Sequence, residues 1–154
     1  MVRCVRLCVV SLAFFTASVL AQEVAQSSEI VLVLWTANDC HYCAAWKGSL
    51  GGKGDLERWP GFSQVTYIEV ERPTLRGAFT PDHFTPEQAW LRDDALPTRR
   101  ASGLVPAWSI YVDRVHVASA GGTRNWYKTI FPKLKELVEK KVEGHPVIAV
   151  GIGK

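Results

Sequence analysis

The sequence has few cysteines, no long apolar run and little excess of charge of one sign. Its 154 residues include four cysteines and carry a formal net charge of +3. No apolar run reaches the roughly 18 residues that a membrane-spanning helix requires. No basic stripe favours binding to nucleic acid, and no internal repeat or low-complexity tract divides the chain. The length therefore suits one compact domain with a core of its own.

The first 21 residues differ in character from the rest of the chain. Two arginines precede a short apolar run, and small residues that end in Val19-Leu-Ala21 follow it. This order resembles a secretory signal peptide, so we expect residues 1–21 to be removed and residues 22–29 to form a flexible lead-in. An uncleaved membrane anchor is the alternative, and the shortness of the run disfavours it.

Removal of residues 1–21 would change the cysteine count and the charge. Cys4 and Cys8 would leave with that segment, and Cys40 and Cys43 would then be the thiols of the exported chain. The formal charge would fall from +3 to +1 because two of the 18 basic residues would be lost. We therefore expect no nucleic-acid partner and no stable membrane insertion after cleavage.

Cys40 and Cys43 stand in the stretch Asn-Asp-Cys-His-Tyr-Cys-Ala-Ala-Trp, residues 38–46. Two thiols separated by two residues can form a redox pair, half of a metal site or a small structural disulfide. A bridge this short closes a tiny loop and removes little chain entropy, which disfavours a purely structural role. A structural zinc site takes four ligands, often from two such pairs, and the exported chain would contain one pair.

Two alternatives to a redox pair remain open at this stage. A copper or zinc carrier would use Cys40, Cys43 and His41, completed by His83 or His116. His116 falls inside a predicted strand, which is more typical of a surface or packing residue than of a ligand. The other alternative is a redox-inactive binding module in which the two cysteines form a fixed disulfide.

The first half of the chain predicts strand, helix and strand. The apolar run at residues 30–35 is typical of a strand buried on both faces, and residues 64–71 alternate as a second strand. Between them we expect a helix that begins near the cysteines and stops at the glycines of residues 51–54. Asn38 or Asp39 is its predicted N-cap.

The second half of the chain predicts helix, hairpin and helix. The first of these helices should begin after an N-cap at Thr85 and end before Pro97. Residues 108–120 have the pattern of a hairpin that turns at an Asp-Arg pair and is followed by two glycines. Apolar residues at helical spacing over 126–138 predict a final helix with one buried face, kinked or broken at Pro132.

This order of elements, with Cys-x-x-Cys at the start of a helix and Val105-Pro106 before the hairpin, resembles the thioredoxin fold over residues 30–143. The resemblance implies an α/β, three-layer fold with a mixed central sheet, βαβ then ββα, and an extra helical segment before the cis-proline strand. It also implies that the bond before Pro106 is cis and faces the cysteines; a cis bond is readily formed only before proline. The apolar tail, residues 144–154, would add an edge strand or cover a patch.

The sequence departs from thioredoxins at several points. Only eight residues separate the predicted cleavage point from the first predicted strand, so we expect the extra N-terminal strand and helix of thioredoxins to be absent and the core to resemble the smaller glutaredoxin-like form. Leu34 stands where thioredoxins carry a buried acid beneath the cysteines. The Cys-x-Tyr-Cys form is closer to glutaredoxins and periplasmic disulfide isomerases, whereas Val105 before the proline resembles the periplasmic oxidases.

The resemblance implies an exported thiol–disulfide oxidoreductase that exchanges disulfides with cysteine-containing protein clients and uses no cofactor and no metal. Cys40 is the expected nucleophile, exposed at the first turn of the helix, where free N–H groups and a partial positive charge favour its thiolate. Cys43, one turn further on, is the expected resolving thiol. Protonated His41 should favour the thiolate and Asp39 should oppose it, so the direction of exchange is left open.

The resemblance also assigns a substrate groove and a location. The backbone at Val105 and Pro106 would pair with an extended client segment, as in strand addition, and Tyr42 would line the groove. A redox partner, not identified by the sequence, would recycle the cysteine pair. By analogy with bacterial proteins of this size we expect the chain to be periplasmic or secreted.

Overall fold

The computed structural model of the chain describes residues 28–98 and 103–145. The predicted signal peptide, all but the end of the predicted lead-in and the tail beyond residue 145 lie outside the described residues. Glu29, where that lead-in ends, exchanges hydrogen bonds of 2.8 and 2.9 Å with Asp113. Within the two described ranges no helix combines the length and the apolar character needed to cross a membrane.

In the described residues, four strands form one mixed sheet. They are β1, Ile30–Ala37, β2, Val65–Arg72, β3, Ala107–Val112, and β4, Val115–Gly121. Their order across the sheet is β2-β1-β3-β4, with β1 parallel to β2 and the other two pairings antiparallel. The parallel pair requires a long crossover, and the helices after β1 supply it, whereas β3 and β4 need only a tight turn.

Strand β1 is buried along its whole length, as its unbroken apolar run predicts. Its alternate side chains enter two separate apolar clusters because neighbouring residues of a strand point to opposite faces. Ile30, Leu32 and Leu34 belong to the cluster that includes the last helix, and Val31 and Val33 belong to the other. The sheet is therefore covered by apolar groups on both faces, which is compatible with the predicted α/β fold.

The helices are short except for the last. They are α1, His41–Lys47, α2, Gly52–Arg58, α3, Ala89–Ala95, α4, Thr123–Asn125, and α5, Phe131–Val142. Three 3₁₀ turns accompany them in the part of the chain that the structure describes, at Pro60–Gln64, Pro81–His83 and Pro86–Gln88. The α3 region matches the predicted helix, and the Gln88 side chain accepts the Thr85 N–H at 3.1 Å.

The predicted first helix is wrong in two respects. Its N-cap is Cys40, not Asn38 or Asp39, and a second helix, α2, begins at Gly52 within the glycine cluster that was expected to end helical structure. The glycines are needed there for close packing, because a Cβ atom on Gly52 would collide with the indole rings of Trp46 and Trp126. Tertiary contact thus overrides the low helix propensity of glycine.

The hairpin and the C-terminal helix follow the sequence closely. Asp113 and Arg114 have positive φ angles of 49° and 66°, as a two-residue turn matched to the twist of its strands requires. A π-helical turn, Trp126–Ile130, joins α4 to α5 just before Pro132. Proline lacks an N–H and crowds the preceding turn, so the predicted disturbance takes the form of a widened turn.

Candidate functional site

Cys40 and Cys43 form a disulfide at the point where β1 gives way to α1. Their Cα atoms are 5.2 Å apart. The Cys40 N–H donates to the carbonyl oxygen of Ala37 at 3.1 Å, which turns the chain out of the strand. The Sγ atom of Cys40 accepts the N–H of Cys43 at 3.1 Å and so caps the helix with sulfur.

The peptide bond between Val105 and Pro106 faces this disulfide. The bond is cis, and the carbonyl oxygen of Val105 lies 3.8 Å from the Sγ atom of Cys40. A disulfide sulfur carries no hydrogen, so in the oxidised protein this is a contact between an oxygen and a sulfur rather than a hydrogen bond. The predicted juxtaposition of Pro106 and the cysteine pair is therefore present.

The two glycines after the hairpin hold the Val105-Pro106 segment in place. The N–H of Gly122 donates to the carbonyl oxygen of Pro106 at 2.7 Å. Gly122 has a φ angle of +84°, a backbone conformation that residues with a side chain rarely adopt. A Cβ atom on Gly121 would lie 3.1 Å from the carbonyl oxygen of Leu104. Both positions thus favour glycine, and the glycine pair fixes one wall of the site.

The expectation that the Cys40 sulfur is exposed is wrong for the oxidised protein. Cys40 is 3% exposed and Cys43 is fully buried at 0%. The cause is packing, because both cysteines belong to an apolar cluster that also contains Phe79 and Val105. Both sulfurs are thus covered by apolar side chains in the oxidised protein, and the roles of the two cysteines stay predictions.

The two residues predicted to tune the thiol pKa are both exposed. Asp39 accepts the N–H of Leu75 through Oδ1 at 2.7 Å, so it anchors the loop after β2. The His41 ring makes an edge contact with the Tyr42 ring, with 5.9 Å between centroids. These contacts place both residues beside the disulfide, and their effect on a thiol stays a prediction.

The predicted substrate-binding residues differ in how far they are exposed to solvent. Val105 and Pro106 are buried, so their backbone rather than their side chains borders the site. Tyr42, between the two cysteines in sequence, is 67% exposed, and Leu104, next to the cis peptide, is 72% exposed. Exposed apolar side chains thus adjoin, in sequence, the buried cysteines and the buried cis peptide.

Sequence reasoning missed Arg72, which ends β2 and is only 5% exposed. Its Nη2 atom donates to the carbonyl oxygen of Leu75 at 3.0 Å and, over a longer 3.5 Å, to that of Gly103. Burial lowers the pKa of Arg72, and the nearby Asp39 carboxylate opposes that shift. The available signal was its position, since the carboxyl ends of parallel β1 and β2 lie at one edge of the sheet.

Two further features lie near helix α1. Lys47, in the last turn of α1, pairs with Glu69 at 2.9 Å and Glu71 at 3.0 Å, which ties the helix to β2. Leu34 is fully buried in the cluster that contains Trp46 and lies opposite Trp108 in the sheet. This position in the strand that leads to the cysteines therefore holds an apolar side chain in a packed core.

The metal-carrier alternative finds no site in the described parts of the chain. Residues 28–98 and 103–145 contain no group of three or more His, Cys, Asp or Glu side chains that could hold a metal ion. His83 accepts the N–H of Thr80 through Nδ1 at 2.9 Å, and the His116 ring contacts the Tyr111 ring at 5.4 Å. Each of these histidines therefore contacts a residue near it in sequence or in the sheet, and the described residues do not bring either one into a cluster with the cysteines.

The described residues define a mixed α/β protein, compatible with a thioredoxin-like fold, that carries a close cysteine pair at the end of an interior strand. No family model and no curated protein matches the sequence. Four chains of solved structures match it. One is a DsbH oxidoreductase, 16% identical with a TM-score of 0.42, and the match covers 71% of this chain and 75% of that chain. A likeness at this level carries no functional conclusion for this chain.

Proposed function

We propose that this chain is a thiol–disulfide oxidoreductase whose redox centre is the pair Cys40 and Cys43. The observation that carries the proposal is the 3.8 Å contact between the Cys40 sulfur and the carbonyl oxygen of Val105. It sets a backbone segment that can pair with an extended polypeptide directly beside a sulfur that can exchange.

The exchange proceeds in two displacements. The Cys40 thiolate of the reduced protein attacks one sulfur of a client disulfide, forms a mixed disulfide and releases one client thiolate, which takes a proton from water. The Cys43 thiolate then attacks the Cys40 sulfur, which releases the second client thiolate and leaves the Cys40–Cys43 disulfide. Two electrons pass from the cysteine pair to the client, and the reverse sequence oxidises a dithiol client.

The local geometry favours Cys40 as the attacking group. The Cys43 N–H lies 3.1 Å from the Cys40 Sγ atom, and a donor held against a sulfur stabilises the thiolate more than the thiol. Cys43 is the more deeply buried of the two and has access to the Cys40 sulfur across the turn. The pair thus has an outer nucleophile and an inner resolving thiol.

The remaining roles are part of the same proposal. The Val105-Pro106 backbone and the exposed Tyr42 ring bind protein clients, and His41 and Asp39 act in opposite directions on the Cys40 thiolate. The charge and apolar pattern of residues 1–21 supports export to the periplasm or the medium. There a separate redox partner restores the pair, without a cofactor.

A second candidate function is favoured by the burial of both cysteines. A fixed disulfide that stays closed in a binding module would also be 3% and 0% exposed. The two candidates differ in one property, which is whether the disulfide opens and closes while the rest of the protein stays folded.

Turnover of a protein disulfide tests the proposal. The purified full chain is incubated with insulin and dithiothreitol, and precipitation of the reduced insulin chains is followed by turbidity. Matched samples carry Cys40→Ser with Cys43→Ser, which leaves Cys4 and Cys8 in place. We expect precipitation well ahead of the double variant. The reverse reaction is followed by the refolding of a reduced, disulfide-containing client. Equal rates of insulin reduction by the unmodified protein and the double variant, together with equal rates of client refolding, would contradict the proposal.

A further inference from the structure

We propose that Arg72 is a positioning residue of the redox centre: its guanidinium ties together the two loops that flank Cys40. The inference deepens the proposed function and rests on it. One loop follows β2 and contains Leu75 and Phe79, and the other contains Gly103 and Val105.

The backbone of Arg72 is already joined to the cysteine turn. Arg72 lies opposite Ala37 in the parallel register of β1 and β2, at the edge where the cysteine turn begins. The N–H of Asn38 donates to the carbonyl oxygen of Arg72 at 3.0 Å. The side chain of Arg72 therefore starts from a point fixed relative to Cys40.

The guanidinium holds the first loop at two places. It donates to the carbonyl oxygen of Leu75 at 3.0 Å and lies over the Phe79 ring, 5.0 Å from its centroid. The N–H of the same Leu75 is bound by Asp39, next to Cys40 in sequence, at 2.7 Å. The Leu75 N–H thus binds the Asp39 carboxylate, and the Leu75 carbonyl oxygen binds the Arg72 guanidinium. These two charge-assisted hydrogen bonds fix the loop beside the disulfide.

The same guanidinium nitrogen reaches the second loop. Nη2 also contacts the carbonyl oxygen of Gly103 at 3.5 Å. Gly103 lies two residues before Val105, whose carbonyl oxygen touches the Cys40 sulfur at 3.8 Å. Arg72 therefore links the backbone wall of the site to the loop on the opposite side of the cysteine turn.

Packing alone does not account for an arginine at this position. A buried cation loses its hydration, and within residues 28–98 and 103–145 the buried Nε atom of Arg72 has no hydrogen-bond partner, which carries a further cost. An apolar side chain of similar length would fill the space without that cost. What the guanidinium adds is one nitrogen, Nη2, within reach of both carbonyl oxygens, together with a planar group that lies over the Phe79 ring, and the shorter, non-planar ammonium side chain of lysine does not reproduce this combination.

The variant Arg72→Lys keeps the charge and removes the planar donor set. The matched control is Arg76→Lys, an exposed arginine in the same loop. Two substrates are compared in both variants: insulin, which must dock against the Val105 backbone, and glutathione disulfide, which needs little docking. We expect Arg72→Lys to lower kcat/KM for insulin about tenfold and to change the rate with glutathione disulfide by less than about threefold. We expect Arg76→Lys to match the unmodified protein.

Hydrogen exchange supplies a second readout on the same samples. Faster exchange of backbone amides in residues 73–79 and 103–107 of Arg72→Lys, with unchanged exchange in α5, is the expected result. If Arg72→Lys fails to fold, Phe79→Leu replaces it, because that change removes the ring under the guanidinium and should loosen the same two loops. Normal insulin kinetics together with unchanged exchange in a folded variant would overturn the inference. Inactivity of the unmodified protein with both substrates would instead overturn the proposed function, and the inference with it.

Discussion

The carbonyl oxygen of Val105 lies 3.8 Å from the sulfur of Cys40, although 65 residues separate them in sequence. The pairing of two strands brings these two residues together. Cys40 is placed by the end of β1, and Val105 is placed by the start of β3, which pairs with β1. The sheet therefore assembles the site, and the proposed function depends on whether the sulfur beside that oxygen reacts.

Replacement of Cys43 by serine should trap clients on Cys40. The first displacement still occurs in Cys43→Ser, but no thiolate remains to resolve the mixed disulfide. We expect a covalent complex with a protein client that appears on a non-reducing gel and disappears when the sample is first treated with dithiothreitol. Cys40→Ser is the matched variant and should trap far less, because Cys43 is fully buried. More complex with Cys40→Ser than with Cys43→Ser would reverse the two roles.

Removal of the Tyr42 ring should weaken the use of protein clients. Tyr42 is exposed next to both cysteines, and an aromatic contact contributes about 0.5–1.5 kcal/mol to binding. We expect Tyr42→Ala to raise KM for insulin roughly three- to tenfold with little change in kcat. Leu50→Ala, which removes an exposed apolar side chain beyond the end of α1, is the control. The same KM in both variants would argue against a groove at Tyr42.

Loss of the Ser109 hydroxyl should destabilise the protein at β1, the strand that leads to the cysteines. The indole N–H of Trp35 in β1 donates to Ser109 Oγ at 2.9 Å, and both side chains are buried. Ser109→Ala leaves that N–H without its acceptor, at a cost of about 1–3 kcal/mol in the free energy of unfolding. Urea unfolding measures it against Ser63→Ala, an exposed serine expected to stay within about 0.5 kcal/mol of the parent. Equal midpoints would show that this bond contributes nothing measurable.

Tyr67 should make the protein less stable in alkaline solution. Burial raises the pKa of Tyr67 well above its usual value, and the nearby Glu69 carboxylate adds to the shift. The folded state then keeps a proton that the unfolded chain releases above about pH 10, so the stabilisation is complete below that pH and declines above it. We expect the free energy of unfolding between pH 9 and 10.5 to fall less in Tyr67→Phe, measured by urea titration. An identical decline in both proteins would refute the pKa shift.

Much of the fold is visible in the sequence because its signals are local. The apolar run of β1, the Asp113-Arg114 turn and the disturbance before Pro132 each follow from the chemistry of a few neighbouring residues. Helix α2 was missed because Gly52 is a poor helix former on its own. Glycine is required at position 52 because the indole rings of Trp46 and Trp126 leave no room for a Cβ atom. The sequence near Gly52 does not indicate this contact.

The geometry of the candidate site was predicted in part for the same reason, and the roles of its residues stay predictions. The spacing of the cysteines and the proline before the hairpin located Cys40, Cys43 and Val105. The burial of Cys40 and the bridging position of Arg72 arise from contacts between segments far apart in sequence. The bond from Arg72 to Gly103 spans 31 residues, and no local pattern marks it.

A redox titration of the cysteine pair tests the central claim most directly. The full chain is equilibrated in glutathione and dithiothreitol buffers of graded potential, quenched with acid and alkylated, and intact mass reports how many thiols have reacted. The variant Cys40→Ser with Cys43→Ser identifies any signal from Cys4 and Cys8. We predict a two-electron transition with a midpoint between about −120 and −270 mV in protein that remains folded. A pair that stays oxidised below about −300 mV, or opens only on unfolding, would contradict the account and leave a fixed disulfide in its place.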